Sequence, residues 1–283
     1  MTQELRSASK KVRYGNIHQG VKVTIHRITS VEPEMIESYE SVSKPLLSLS
    51  KRMQQQVMQV LKDKRDGSKQ TGLLLGKRLN IRALTSNDGK YFYNNRLPID
   101  EAELSVGVLV DESGSMSSND RTTSARAASI VLQDFCEKLN IPVCIYGHTT
   151  HGGVDLYAYS EFESVDKKDR YRLMDISSRG SNRDGAALRF VCERLITRPE
   201  RTKLMIIISD GQPADTGYYG TEAEADLRGI KREYTNKGIT MFAAAIGDDK
   251  PCIERIYGDG FLDITDVNQL PKNLTSLISR YIS

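Results

Sequence analysis

Five short apolar runs recur along the later part of the chain, at 104–110 (LSVGVLV), 142–148 (PVCIYGH), 154–160 (VDLYAYS), 203–209 (KLMIIIS) and 239–246 (ITMFAAAI). Each has the length of a strand, and a shorter run follows at 261–264 (FLDI). Between most of them the apolar spacing changes to a helical period, which predicts helices over 122–139, 184–196, 221–236 and 267–282. Only 142–148 and 154–160 are joined without a helix, so they predict a hairpin and one antiparallel edge strand. Several strands are apolar on both faces, as in a sheet covered by helices on both sides. The pattern therefore predicts an α/β fold, a doubly wound and mostly parallel sheet with one antiparallel edge strand, over residues 103–283.

Residues 1–102 read differently, as an N-terminal extension of mixed strand and helix. VKVTIHRI (21–28) alternates like a strand. From Glu34 to Lys62 the residues Leu46, Leu49, Met53, Val57, Val60 and Leu61 fall on one helical face, with Pro45 starting or kinking the helix. DGSK (66–69) is a turn signal, and Asp88-Gly89 marks a hairpin within 84–98. The single amphipathic helix needs a surface to pack on, so this segment is expected to brace the second domain rather than stand apart.

In doubly wound sheets, ligands sit at the carboxyl ends of the strands, near the point where strand order reverses. Three polar loops fall there: DESGS (111–115), SSRGSNRDGAAL (177–188) and SDGQPAD (209–215). Taken singly, Asp, Ser and Asn at such junctions are the preferred helix caps. Taken together they offer hard oxygens to a divalent ion: Asp111, Ser113 and Ser115 from the first loop, Asp210 from the third, and Ser181, Asn182 and Asp184 from the second. Magnesium takes about six such oxygens and often keeps some water. A site with few direct carboxylates leaves the ion electrophilic, ready for an acidic side chain from a partner. Glu112, Asp215 and Asp248, beside these loops, are the candidates for touching that partner.

Composition narrows the remaining classes. The net charge of +3 divides unevenly, with 17 Lys/Arg against 8 Asp/Glu in residues 1–95 and 23 against 29 in the rest. A basic front half makes a nucleic-acid-binding module the alternative from another class, although no aromatic RNA-binding signature accompanies it. No apolar stretch approaches the roughly 20 residues of a membrane span, and the first residues hold no signal core, so a cytoplasmic protein that does not engage membranes is expected. Cys136, Cys144, Cys192 and Cys252 are scattered, which predicts free thiols. GLLLGKR (72–78) has three residues between its glycines, one fewer than a phosphate loop, and Arg78 where Ser or Thr is needed, so no nucleotide is expected on this chain. His148 and His151 have no Cys or Glu around them and read as loop or packing residues, while Asp166, Asp169 and Asp175 read as a solvated charged stretch. No nucleophile elbow surrounds Ser113 or Ser115, so the chain is not expected to be catalytic alone.

VLVDESGSM together with IIISDGQPAD resembles the von Willebrand factor A (vWA) domain and its metal-ion-dependent adhesion site. NRDGAALRFVCERLITRPERTKLMIIISDGQPAD (182–215) resembles in particular the C-terminal vWA domain of CobT-type cobaltochelatase subunits, with NorD-type nitric oxide reductase activation proteins as relatives; GHTT (147–150) fits the end of the second strand there. The resemblance implies that Asp111, Ser113, Ser115 and Asp210 are metal-site residues, Asp111 and Asp210 acting through water, with Mg²⁺ or, in its place, Mn²⁺ or Ca²⁺. The wider fold uses a Thr in the second polar loop, which this chain lacks. Asn182 stands where the CobT-type pattern has its Asn, so Asn182 and Asp184 are expected ahead of Ser181. The resemblance further implies an adaptor subunit, open to oligomerising within a complex. It would work with an AAA+ ATPase and a large client or chelatase subunit, in metal insertion into a tetrapyrrole or, in the NorD manner, in activating another metalloenzyme. The long acidic linker usual in the CobT type is missing from these residues, which implies a piece of a longer protein or a compact relative.

Overall fold

A computed structural model of the chain describes residues 1–65, 69–76, 78–85, 88–95, 104–164, 166–211, 213–246, 250–264, 266–269, 272–273 and 275–276. In chain order the elements are α1 (Thr2–Ser9), β1 (Val23–His26), α2 (Pro33–Arg65), β2 (Lys69–Leu73), β3 (Arg78–Leu79), β4 (Phe92–Asn95), β5 (Leu104–Asp111), α3 (Arg121–Lys138), β6 (Val143–Thr150) and β7 (Val154–Ser160). They continue with α4 (Asp169–Arg172), α5 (Asp184–Ile196), β8 (Thr202–Ser209), β9 (Ala214–Asp215), β10 (Tyr218–Tyr219), α6 (Gly220–Asn236), β11 (Ile239–Ala245), α7 (Lys250–Tyr257) and β12 (Phe261–Asp263). The helix expected over 267–282 begins as a 3₁₀ turn at Val267–Gln269, and most of its length lies outside the described residues. The turn expected at 66–69 falls largely outside them too.

Seven strands form the central sheet in the order β1-β7-β6-β5-β8-β11-β12. All neighbours are parallel except β6 and β7, the expected hairpin. From β5 the chain moves outward to β6 and β7, then returns to β8 on the other side of β5. The reversal puts the carboxyl ends of β5 and β8 side by side, where ligands of such sheets bind. The antiparallel strand is not at the edge, as the pattern had suggested. β1 pairs with it in parallel, Ile25 opposite Leu156, and becomes the edge itself. A buried β7 needs hydrogen-bond partners on both sides, and the front of the chain provides the second set.

Alternate residues of β5 feed cores on the two faces of the sheet. Val106, Val108 and Val110 pack with α2 and α3, through Met53, Val57, Ala128 and Phe135. Leu109 points the other way, among Phe190, Leu195, Leu227 and the Leu5 side chain of α1. The front segment is thus part of both cores, in line with the bracing expected of it. Its long helix begins at Pro33, a first-turn position that suits proline, and runs through Pro45 to Arg65 instead of starting there. Ser50 on that helix donates to Asp134 on α3 at 2.6 Å, so the polar atoms in this buried contact are matched. β2, β3 and β4 form a separate antiparallel sheet, with Asp88-Gly89 in the connection between β3 and β4.

One feature corrects the reading of the polar stretches. Asp169 does not face solvent: it is buried and paired with Arg27 after β1 and with Arg172. All four cysteines are free and buried, as expected. Among the described residues, no helix is long and apolar enough to cross a membrane.

A further tie joins the front segment to the helices. His18 is buried 3.0 Å from Asp226 on α6, and Tyr218 donates to the same carboxylate at 2.9 Å. Gly185, in the first turn of α5, lies against this group. A methyl there would meet the Tyr218 hydroxyl at 2.5 Å and His18 Nε2 at 2.7 Å, besides the Asp226 carboxylate. Gly185→Ala is therefore expected to destabilise the fold by about 1–3 kcal/mol through overpacking. Thermal unfolding checks this, at roughly 2–4 °C per kcal/mol for a chain of this size. An unchanged midpoint would mean that the cluster yields freely.

Candidate functional site

Hydrogen bonds link the ends of β5 and β8 in a continuous run of oxygens. Asp111 ends β5 and is buried. Its Oδ1 accepts from the Ser113 backbone N–H at 2.8 Å, which fixes the turn that follows. The Ser113 and Ser115 hydroxyls are 2.9 Å apart, and Ser115 donates to Asp210 Oδ1 at 3.0 Å. Asp111 Oδ2 accepts from Ser209 at 3.0 Å and from the Asn182 amide at 3.1 Å. The second polar loop is stitched to the first: Gly114 N–H donates to Gly180 carbonyl at 2.6 Å, Arg179 N–H to Glu112 carbonyl at 2.7 Å, and the Ser178 hydroxyl to Ser113 carbonyl at 2.9 Å.

The acids here are held under tension. Burial raises the pKa of Asp111, and the neighbouring Asp184 charge adds to it. Burial likewise raises Asp210, with the Asp111 charge next in weight. Two carboxylates made costly to ionise await positive charge. Arg121, in the first turn of α3, meets part of that need with its Nη1 2.7 Å from Asp210 Oδ2.

The donor set fits a hard divalent cation. It consists of two hydroxyls and two carboxylates with no sulfur or ring nitrogen, the chemistry suited to Mg²⁺, Mn²⁺ or Ca²⁺. Among the described residues there is no cluster of three or more His, Cys, Asp or Glu set for a metal, so an ion here would depend on the serines.

The remaining candidates separate by position. The Asn182 carbonyl is taken by the Ala214 N–H at 2.6 Å while its amide holds Asp111, so Asn182 orients the site in this geometry. Asp184 lies behind Asp111, its Oδ1 3.0 Å from His148 Nε2 without hydrogen-bond alignment. Burial opposes the imidazolium of His148, but the Asp184 and Asp111 carboxylates outweigh it and raise its pKa. Ser181 has an exposed side chain and uses its backbone to pair with Thr150. Glu112 turns inward, bound to Arg179 at 2.9 Å and to the Tyr159 hydroxyl, and its carboxylate has no exposed surface to offer a partner. Burial raises its pKa to about 7 against the pull of both contacts. Gly147 makes room for it, since a methyl there would lie 2.5 Å from Glu112 Oε1. Asp215 is partly exposed at the rim, held by Arg183 at 2.7 Å and by Thr150 at 3.2 Å. Asp248 lies outside the described residues.

Sequence reasoning missed Arg121, Ser209 and the part played by His148. Ser209 is the residue before Asp210 at the same strand end, a signal present in SDG. His148 lies opposite Asp111 in the β5–β6 register, which strand alignment could have indicated. His151 is exposed and lies 3.7 Å from Asp155, in a loop role.

A match to the von Willebrand factor type A domain covers residues 105–269, more than half of the chain and all of the loops described above. The chain belongs to the vWA family. Over 261 residues it is 25% identical to the uncharacterized protein YojO of Bacillus subtilis, a stretch covering 87% of this chain and 40% of YojO. It is 27% identical over 118 residues to the protein NorD of Brucella melitensis, covering 41% of this chain and 19% of NorD. The chain thus spans less than half the length of these curated relatives. Among solved structures, the vWF domain of the type V pili tip protein Mfa5 from Porphyromonas gingivalis matches 64% of this chain and 96% of its own, with 11% identity and a TM-score of 0.48.

Proposed function

We propose that this vWA protein is a metal-dependent adaptor, a cytoplasmic subunit that docks an AAA+ ATPase and the client which that ATPase remodels. The observation that carries the reading is the run of oxygens from Asp111 through Ser113 and Ser115 to Asp210 at the point where strand order reverses. A Mg²⁺ ion held there, or Mn²⁺ or Ca²⁺ in its place, would supply an open position for a carboxylate of the partner. The residues of the chain do the rest. Asp111 and Asp210 balance charge, Ser113 and Ser115 present hydroxyl oxygens, and Asn182 and Ser209 hold Asp111 in place. Asp184 is proposed with them through its charge on Asp111 and His148, and Asp215 as the rim acid nearest a partner.

Two client classes follow from the resemblances, a chelatase that inserts metal into a tetrapyrrole and another metalloenzyme in need of activation. The likeness to NorD supports the second. Affinity capture with the tagged chain in Mg²⁺, in EDTA, and with Asp111→Ala in Mg²⁺ tests the reading. An ATPase and its client should be retained only by wild type in Mg²⁺. The same proteins in all three lanes would make the site a scaffold and place docking elsewhere.

A further inference from the structure

Arg121 opens α3 a few residues beyond the first polar loop. The two residues before it, Asn119 and Asp120, hold left-handed backbone, with φ of 52° and 55°. Asn and Asp tolerate that conformation better than most residues, yet two in succession make a sharp and costly turn. The turn brings the Arg121 guanidinium back against the loop, Nη1 lying 2.7 Å from Asp210 Oδ2 and 3.5 Å from the Ser115 carbonyl. The other Asp210 oxygen accepts from Ser115 at 3.0 Å. Both oxygens of this carboxylate are thus engaged by donors of the chain itself, one carrying a full positive charge at 15% exposure.

We infer that Arg121 is an internal counter-cation that competes with the metal for Asp210. The inference rests on the metal reading above and adds to it a residue that sets affinity. With no ion bound, the guanidinium neutralises the Asp210 carboxylate that it touches. The guanidinium would repel a divalent ion across a partly desolvated gap, where repulsion is only weakly screened. Arg121 would have to leave Asp210 for an ion to be held there, or stay beside it at a Coulombic penalty. Either way Arg121 lowers the affinity of the site and keeps it closed by an ion pair until the metal arrives. An arginine suits this role because it remains charged at every relevant pH.

Calorimetric titration of the whole chain with MnCl₂ and MgCl₂ tests this, using wild type, Arg121→Gln, Arg121→Met and Asp111→Asn. Arg121→Met keeps most of the aliphatic stem and guards against a packing defect in Arg121→Gln. Both Arg121 variants should bind the ions at least tenfold more tightly than wild type, about 1.4 kcal/mol, and Asp111→Asn should bind neither. Equal or weaker binding by folded Arg121 variants, beside a wild type that binds, would overturn the inference and leave the metal reading standing. No binding by wild type or by either Arg121 variant would remove the metal reading first and the inference with it. Should both Arg121 variants fail to fold, the side-chain Nε–H resonance of Arg121 in the wild-type protein takes their place. It should shift saturably with added MgCl₂, and an unmoved signal would overturn the proposal.

Discussion

Asp111→Asn is expected to abolish every magnesium-dependent property of the protein while changing its metal-free stability by only about 1 kcal/mol. At a magnesium concentration one hundred times its dissociation constant, wild type should gain about 2.7 kcal/mol by mass action, and the variant nothing. The metal-free prediction comes from opposing effects at one side chain. The substitution gives up an acceptor for Ser209 and Asn182, each hydrogen bond being worth about 1 kcal/mol. It also removes a buried charge that nothing in the metal-free site fully offsets. Burial raises the folded-state pKa of Asp111, as it does for Asp210. A carboxyl with a raised folded pKa contributes stability below its unfolded value and loses it as pH climbs through the folded one. Metal-free wild type should therefore weaken as pH rises out of the ordinary carboxylate range. Magnesium should flatten that decline, and Asp111→Asn should show less of it. Melting across pH in EDTA and in MgCl₂ reads all of this, and a magnesium shift retained in Asp111→Asn would sink the prediction.

The parts of the molecule that could be read from sequence are those whose chemistry is local. β5 and β8 are apolar on both faces because helices cover the sheet on both sides, and α5 begins at Asp184 and ends at Ile196 as its spacing predicted. The oxygens of Asp111, Ser113, Ser115 and Asp210 could be picked out because each belongs to a short pattern at a strand end. β1 was legible as a strand, but nothing in its own alternation indicates that it pairs with β7 far along the chain. Asp169 was misread for a related reason. Its neighbours in sequence are charged, and only the folded chain brings Arg27 across to bury it. Arg121 escaped notice because an arginine opening a helix looks like a surface residue until the left-handed turn before it is known.

The largest stability effect is expected away from the candidate metal site, in the ion network that binds the front segment to the sheet. Arg172 is almost fully buried, with a side chain 2% exposed. Its Nε donates to the Ile28 carbonyl at 2.8 Å, and its guanidinium is shared between Asp169 and Asp166. Arg172→Met should fill most of the volume yet leave Asp169, 7% exposed, with Arg27 as its remaining cation, and deprive the Ile28 carbonyl of a donor. Leaving a buried charge wholly uncompensated costs about 3–5 kcal/mol; with Arg27 still on Asp169 the loss should approach the lower end of that range and still exceed that of a surface pair. Arg172→Lys keeps the charge but not the fork that serves several acceptors, so it should fall between wild type and Met. The pH dependence has a definite sign. Hydrogen bonding to Arg172 holds the Asp166 carboxyl well below its usual range. A depressed pKa stabilises above the unfolded value and loses that contribution as pH falls, so the gap between wild type and Arg172→Met should narrow toward acid. Urea denaturation at neutral and acidic pH measures both quantities. A loss below about 1 kcal/mol would place Arg172 with ordinary surface ion pairs and leave the front segment held by its apolar contacts, the β1–β7 pairing and its other polar ties.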